Sequence, residues 1–387
     1  MEKICRRISE IGTVVGGGTP STKNPDYWGG DIPWISPKDL TDYKSVYISK
    51  GENFLTEKGL KSGTRLLPKN TLLFSSRAPI GYVALAANPI CTNQGFKSIV
   101  CDEKQVVPLY LYYYMKANLD YIKLFGTGAT FPEISGKTMG KVKVEIFKSL
   151  DVQHRIASIL STYDSLIENN AKRIRLLEKM AENLYKEWFV RFRFPGHENV
   201  EMENGLPKGW KRGSLSDVCE FKRGKNITSS EMQEGNVPVI SAGLEPSGYH
   251  SCSNVRGVNV TMSSSGANAG YIAIHYSDIW AADCSYIEES TTGNIYYVYE
   301  LLNNIRTVIN NFQRGAAQPH VYPKDVNRIK LILPSKELML KANGRLEIMH
   351  KEIYNLQKQN SLLARQRDLL LPRLMSGKLE VKEEVLE

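Results

Sequence analysis

From Ser149 to Val190 the chain contains neither glycine nor proline. Within that stretch Ile156, Leu160, Tyr163, Ile167, Asn170, Ile174, Leu177, Ala181, Leu184 and Trp188 follow one another at alternating steps of 4 and 3 residues. A second run has the same steps: Ala342, Leu346, Met349, Ile353, Leu356, Asn360, Leu363, Arg367, Leu370 and Leu374. Apolar positions at this period form a single seam on a helix, which predicts two long helices. Each seam covers about 33 residues, or about 50 Å of helix. Gly344 weakens the start of the second helix, and Pro372 falls near its end. Either each helix packs on its own domain or the two pair with each other. An antiparallel pairing with midpoints aligned would set Asn170 against Asn360, the only asparagines in the two seams. A polar residue at a core position costs stability but fixes register. Flanking layers such as Ile167 with Leu363 and Ile174 with Leu356 would each bury roughly 1.5–3 kcal/mol per side chain. Arg367 would fall opposite Tyr163 and snorkel outward.

Outside the helices the pattern alternates with period 2, and it is written twice. "IPWISPKDL" (Ile32–Leu40) is answered by "VPVISAGL" (Val237–Leu244). "LLFSSRAPIGYVAL" (Leu72–Leu85) is answered by "VTMSSSGANAGYIAI" (Val260–Ile274), and both read as β-hairpins. Two aromatic-rich helical stretches follow, Leu109–Phe125 and Ile295–Phe312. After them come "GATFPEIS" from Gly128 and "GAAQPHVY" from Gly315, and then the strand-like runs "KVKVEIF" and "RIKLILP". Matching phrases in one order indicate an internal repeat. The predicted class is α+β: two similar α/β globular domains separated by two long helices that pair as an antiparallel coiled coil, with a pseudo-two-fold internal repeat. The predicted boundaries are residues 1–148 and 193–335 for the domains and 149–192 and 336–380 for the helices.

Composition narrows the function. Of 387 residues, 42% are hydrophobic and 24% charged, as in a soluble globular protein. No apolar run approaches the roughly 18 residues of a membrane span. "MEKICRRISE" holds no apolar core of a secretory signal. The cysteines at 5, 91, 101, 219, 252 and 284 are scattered without CxxC spacing, which predicts a reduced, cytoplasmic setting and no metal site. The net charge of +9 points to a polyanionic partner such as nucleic acid.

Catalytic patterns are missing. There is no Pro-Pro, so the Asn/Asp-Pro-Pro-aromatic motif of amino-methyltransferases is absent. "SGKTMG" at Ser135 is an incomplete phosphate loop, because Phe131 stands where the first glycine belongs. "PEISGK" at Pro132 has a nuclease-like carboxylate and lysine, but its counterpart "PHVYPK" keeps no carboxylate. The six histidines have no ligand spacing. The chain reads as non-catalytic.

"GGGTPSTKNPDYWGGDIPWISPKDL" (Gly16–Leu40), the Gly-Ala phrase, "DVQHRIASILSTYDSLIENN" and "LLLPRLMSGKLEV" (Leu369–Val381) together resemble the specificity subunit of Type I restriction–modification enzymes. The resemblance covers essentially the whole chain, including its doubling. The second half departs most: it has no "YWGG" and a looser start to its helix. The resemblance implies two target recognition domains, each reading half of a bipartite site on double-stranded DNA. It also implies that the helices set the spacing and dock two methyltransferase (M) subunits, with restriction/translocase (R) subunits completing the complex. S-adenosylmethionine, ATP and Mg would then belong to those partners and not to this chain. The alternatives are a structural adaptor that binds proteins through the same fused heads, and a nuclease or methyltransferase with unrecognised motifs.

Base readers are sought among loop residues at equivalent places in the two repeats. In the first they are Thr19, Ser21, Lys23, Lys38, Ser76, Arg77, Thr127 and Thr130. In the second they are Lys222, Arg223, Lys225, Asn226, Ser265, Asn268, Arg314, Gln318 and His320. Arginine suits guanine and Asn or Gln suits adenine, while lysines suit phosphate. Against this, the paired serines can satisfy hairpin backbone groups. Gly128, Gly315, Pro132 and Pro319 are turn formers, and the tyrosine-rich helices read as core.

Overall fold

The computed structural model describes residues 2–128, 130, 132–315 and 318–381. Ala129, Phe131, Ala316 and Ala317 of the two Gly-Ala phrases lie outside the described residues. The chain divides into two compact units, 1–170 with 358–387, and 171–357.

Among the described residues unit 1 holds ten strands: β1 (Lys3–Arg7), β2 (Gly12–Gly16), β3 (Trp28–Ile35), β4 (Tyr47–Ile48), β5 (Asn53–Leu55), β6 (Leu72–Ser76), β7 (Ile80–Ala86), β8 (Cys91–Thr92), β9 (Lys97–Cys101) and β10 (Lys143–Phe147). They form a β1–β10 ribbon, a sheet in the order β2-β9-β6-β7-β4, and a smaller sheet β5-β3-β8. The hairpin expected at Leu72–Leu85 is the antiparallel pair β6–β7. The helix Pro108–Ala117 opens on a proline, whose fixed φ suits the first helical turn. Tyr110, Tyr112, Tyr113 and Tyr114 are buried with Ile8, Phe74, Ile99 and Phe147 in the main core, so these tyrosines are packing residues.

Unit 2 repeats the plan with β11 (Met202–Glu203), β12 (Leu206–Pro207), β13 (Lys211–Ser214), β14 (Lys222–Arg223), β15 (Val237–Ile240), β16 (Gly248–His250), β17 (Asn259–Ser263), β18 (Ile272–His275), β19 (Trp280–Ala281), β20 (Cys284–Glu288) and β21 (Lys330–Leu333). Its ribbon β13–β21 matches β1–β10, its sheet β14-β20-β17-β18 matches β2-β9-β6-β7, and β16-β15-β19 matches β5-β3-β8. Close backbone approaches recur as well. A Cβ on Gly17 would stand 1.9 Å from the Asn93 carbonyl oxygen, and one on Gly224 would stand 2.4 Å from that of Ala282. Each place admits only glycine. The indole of Trp34 donates to the Gly18 carbonyl at 3.0 Å and that of Trp280 to the Lys225 carbonyl at 2.9 Å, although the two tryptophans sit on different strands of the plan.

The long helices span Leu150–Tyr185 and Lys336–Ser376. Each starts behind a serine whose hydroxyl accepts a first-turn N–H: Ser149 from Val152 and Ser335 from Leu338. The first helix widens into a π-turn at Lys186–Val190, and Gly377, at φ +80°, follows the end of the second. Within each unit a segment of one helix lies antiparallel against a segment of the other. In unit 1, Ile156, Leu160 and Leu374 are buried. The side-chain amide of Asn170 donates to Gln359, and that of Asn360 to the Ile167 carbonyl, both at 3.3 Å. The two asparagines therefore bond across the pair to neighbours of each other and not directly to one another. In unit 2, Ala181, Ala342 and Leu346 are fully buried, and Arg173 bonds Glu352 at 2.8 Å.

One seam position departs from expectation. Arg367 does not snorkel; its side chain is 17% exposed and pairs with Asp164, which is 6% exposed and accepts a hydrogen bond from the Tyr113 hydroxyl. Burial, and after it the Asp164 carboxylate, push the Tyr113 hydroxyl far above the usual phenol range, so it remains a donor. The buried Gln153 amide docks the same helix on its head by accepting from Val107 N–H and donating to the Phe147 carbonyl. Unit 2 repeats the device with Asn343, which accepts from the N–H groups of Tyr296 and Tyr297. It also has a buried set in which His350 bonds the Tyr276 hydroxyl and Glu300.

Candidate nucleic-acid interface

In unit 1 four loops meet at one corner. The Gly-rich loop after β2 brings Thr19, whose hydroxyl donates to the Gln94 side chain in the β8–β9 turn. Lys97, at the start of β9, reaches the Gln94 carbonyl at 3.2 Å and the Glu133 carboxylate at 3.1 Å. Glu133 also faces Arg77, in the β6–β7 turn, at 3.5 Å. Its backbone pairs with Thr127 in both directions, at 2.9 and 3.0 Å. Between them Gly128 adopts φ +115°, a left-handed conformation that suits glycine. Loop geometry thus brings Thr19, Arg77 and Thr127 together, and Thr130 is exposed in the same loop as Thr127.

Unit 2 builds the same corner from other side chains. Arg223, on β14, pairs with Asp283 at 2.5 Å, and Asp283 accepts from the Ser265 hydroxyl. Ser265 and Arg314 both bridge to His320. Gly315 adopts φ +97°. Arg314 lies 2.9 Å from Asp325, and His320 stacks on Tyr322 at 6.3 Å between ring centroids. Asn268 is half-buried in a short 3-10 turn, whereas Lys222, Lys225, Asn226 and Gln318 are exposed.

Several expected readers sit elsewhere or are occupied. Ser76 is fully buried and donates to the Gly95 carbonyl at 3.0 Å, and Ser265 is 6% exposed and held by Asp283. These two hydroxyls are spent on neighbouring loops and are not open to a base. Lys38 is exposed in a turn after β3 and bonds Glu52 at 3.0 Å, which raises its pKa. Ser21 and Lys23 are exposed further along the Gly-rich loop, where the Ser21 carbonyl accepts from the Trp28 indole at 3.2 Å. Sequence reasoning missed Gln94, Lys97 and Asp283, and saw Glu133 only as part of a discarded nuclease pattern. The signal lay in the repeat: Glu133 of one copy aligns with His320 of the other.

The corner offers guanidinium, ammonium and amide groups on loops held by a rigid frame. Among the described residues no three His, Cys, Asp or Glu side chains are grouped to hold a metal ion. No helix among them is long and apolar enough to cross a membrane. A frame built twice, with donor-rich loops at the same corner each time, defines a two-headed recognition protein. The chain belongs to the Type I restriction modification DNA specificity domain family, whose model matches residues 3–179 and 207–360. It is 36% identical to the Type I restriction enzyme MjaIX specificity subunit of Methanocaldococcus jannaschii, over 98% of this chain and 94% of that protein. It is 31% identical to the EcoR124I/EcoR124II specificity subunit of Escherichia coli over 50% of this chain and 49% of that one. Its fold matches the crystal structure of the Type-I restriction-modification system S subunit from M. genitalium with a TM-score of 0.67 at 20% identity, covering 99% of this chain and 97% of that one.

Proposed function

We infer that this chain is the non-catalytic, sequence-specific DNA-reading subunit of a Type I restriction–modification complex in the cytoplasm. The observation that carries the reading is the repeated loop corner, the same in frame and different in side chains. We assign the heads to residues 1–148 and 193–335 and the spacer helices to 149–192 and 336–380, with Asn170 and Asn360 fixing the helices' register. Lys23, Lys38, Lys222 and Lys225 contact phosphate, while Arg77, Arg223, Arg314, Gln318 and Asn226 contact base edges. Phosphate contacts make affinity fall steeply with salt. Family membership argues against the protein-binding adaptor, which would lack that dependence.

The test is a map of modified bases in cells that express this chain with its methyltransferase partner. A two-part motif with an unread gap is expected. Inserting one heptad at matched depth in both helices preserves the seam and lengthens each by about 10 Å, or about three base pairs at 3.4 Å each. The gap is expected to grow by that amount while both half-sites stay the same; an unchanged gap would refute the spacer role.

The methyltransferase subunits, one for each half of the chain, dock on the helices. In unit 1 Ile159 and Leu166, one heptad apart, are 36% and 45% exposed, and Leu362 and Leu369, also one heptad apart, are 54% and 56% exposed. Leu166 lies two residues beyond Asp164, about 200° round the helix from the side that meets the head. Replacing Leu166 and Leu362 together by aspartate should abolish co-purification with the methyltransferase subunit and leave salt-sensitive DNA binding intact. Retained co-purification would move the docking site off this face.

A further inference from the structure

The two corners permit a position-by-position comparison. In unit 1 the bridges run from Arg77 to Glu133 and from Thr127 to Glu133; in unit 2 they run from Ser265 to His320 and from Arg314 to His320. Arg77 thus corresponds to Ser265, Glu133 to His320 and Thr127 to Arg314. The surrounding frame does not change. The N–H after Glu133 donates to the Ser76 carbonyl at 3.0 Å, and the N–H after His320 donates to the Ser264 carbonyl at 3.0 Å. A fold that keeps its backbone bonds and exchanges these side chains is using the corner to discriminate.

Both corners nevertheless keep one element, a carboxylate that holds an arginine from a neighbouring segment. In unit 1 it is Glu133. Its other partner, Lys97, is only 15% exposed and is tied in turn to the Gln94 carbonyl and, at 3.5 Å, to the Ser76 hydroxyl. The carboxylate is therefore anchored by a fixed ammonium, and its second oxygen restrains Arg77, whose side chain is 38% exposed. In unit 2 it is Asp283, anchored by Ser265 and restraining Arg223, which is 47% exposed. A restrained guanidinium loses less rotamer freedom on binding. Its remaining N–H groups match the O6 and N7 acceptors of guanine in the major groove.

We propose that Glu133 and Asp283 are positioning residues that aim Arg77 and Arg223, each at a guanine edge in its own half of the target. This rests on the DNA-reading function inferred above and names its base class and the residues that set it. Arg77→Lys, Glu133→Gln and Asp283→Asn would each be co-expressed with the methyltransferase partner, and modified bases mapped at single-base resolution. Arg77→Lys should cut discrimination at one G·C pair of one half-site roughly 5- to 150-fold, the range for losing a bidentate contact. Glu133→Gln should relax the same base pair less, and Asp283→Asn should relax one base pair in the other half only. The gap and the untouched half should stay as in the parent. Melting of each purified variant separates misfolding from misreading. If Glu133→Gln unfolds, Arg77→Lys, which alters an exposed side chain, decides the matter for the first head. An unchanged motif in Arg77→Lys, or a loss spread evenly over all base pairs, overturns the proposal while leaving the DNA-reading function standing. A parent protein that writes no two-part motif overturns both.

Discussion

Replacing Arg367 by methionine is expected to cost unit 1 about 3–5 kcal/mol, more than any surface substitution in the chain should. Arg367 sits on the second long helix at a seam position that otherwise takes apolar residues. Its partner Asp164, on the first long helix, is 6% exposed and already accepts the Tyr113 hydroxyl from the head. Methionine fills much of the arginine's volume, so the loss is electrostatic: a buried carboxylate loses its paired guanidinium. Lys116 is close enough for Arg367 to depress its pKa, second to the effect of burial. Its ammonium can take up part of the charge, which places the expected cost nearer 3 than 5 kcal/mol. For a unit of this size that is a fall of roughly 6–12 °C in melting temperature. The opposite outcome is expected when the whole set goes. Tyr113→Phe, Asp164→Leu and Arg367→Met together leave nothing polar unpaired and should bring stability back to within about 1 kcal/mol of the parent, or above it. Calorimetry on the parent, Arg367→Met and the triple variant checks this. A single Arg367→Met that costs under about 1 kcal/mol would mean that the pair behaves as a surface bridge.

Arg367 also shows where sequence reading stops. The two helices follow from spacing alone, because a seam is a local pattern repeated many times, and an antiparallel pairing then predicts the neighbourhood of Asn170 and Asn360. The doubling of the heads was legible for the same reason: hairpins such as β6–β7 and β17–β18 are local, and their phrases recur in order. Asp164 was not legible. It lies outside the seam, and its burial comes from the docking of Tyr113, 51 positions away, together with Arg367 of the other helix. The interface divides along the same line. Arg77 and Thr127 could be named from turn chemistry, but Glu133 and Lys97 matter because tertiary folding brings together residues 36 positions apart. Ser76 shows the converse error: a polar residue in a turn phrase looked available and proved to be spent on the Gly95 carbonyl. Polar residues on the long helices were the hardest to place, since a solvated face and a docked face have the same composition.

Acid should weaken unit 2 through one side chain. His275, at the end of β18, is half-buried against the sheet with its Nε2 at 2.9 Å from the Thr261 hydroxyl. Burial pushes its pKa down from 6.5 to about 4. The folded state therefore holds it neutral where the unfolded chain would protonate it. Because the unfolded state binds the extra proton between these two values, stability rises with pH across that window. The contribution is fully present above pH 6.5 and is lost as pH falls towards 4, reaching roughly 3 kcal/mol there. Below that the loss stops growing, since both states are then protonated. Carboxylates elsewhere also titrate in this range, so the measurement must be a difference. Glutamine at 275 keeps a hydrogen-bonding group near Thr261 and does not titrate. Urea midpoints of the parent and His275→Gln, taken at intervals from pH 8 to 4, should run parallel above pH 7 and diverge below it, the parent losing stability faster. Curves that stay parallel down to pH 4 would show that the imidazole is solvated enough to take its proton in the folded state, and the assignment of acid sensitivity to β18 would fall.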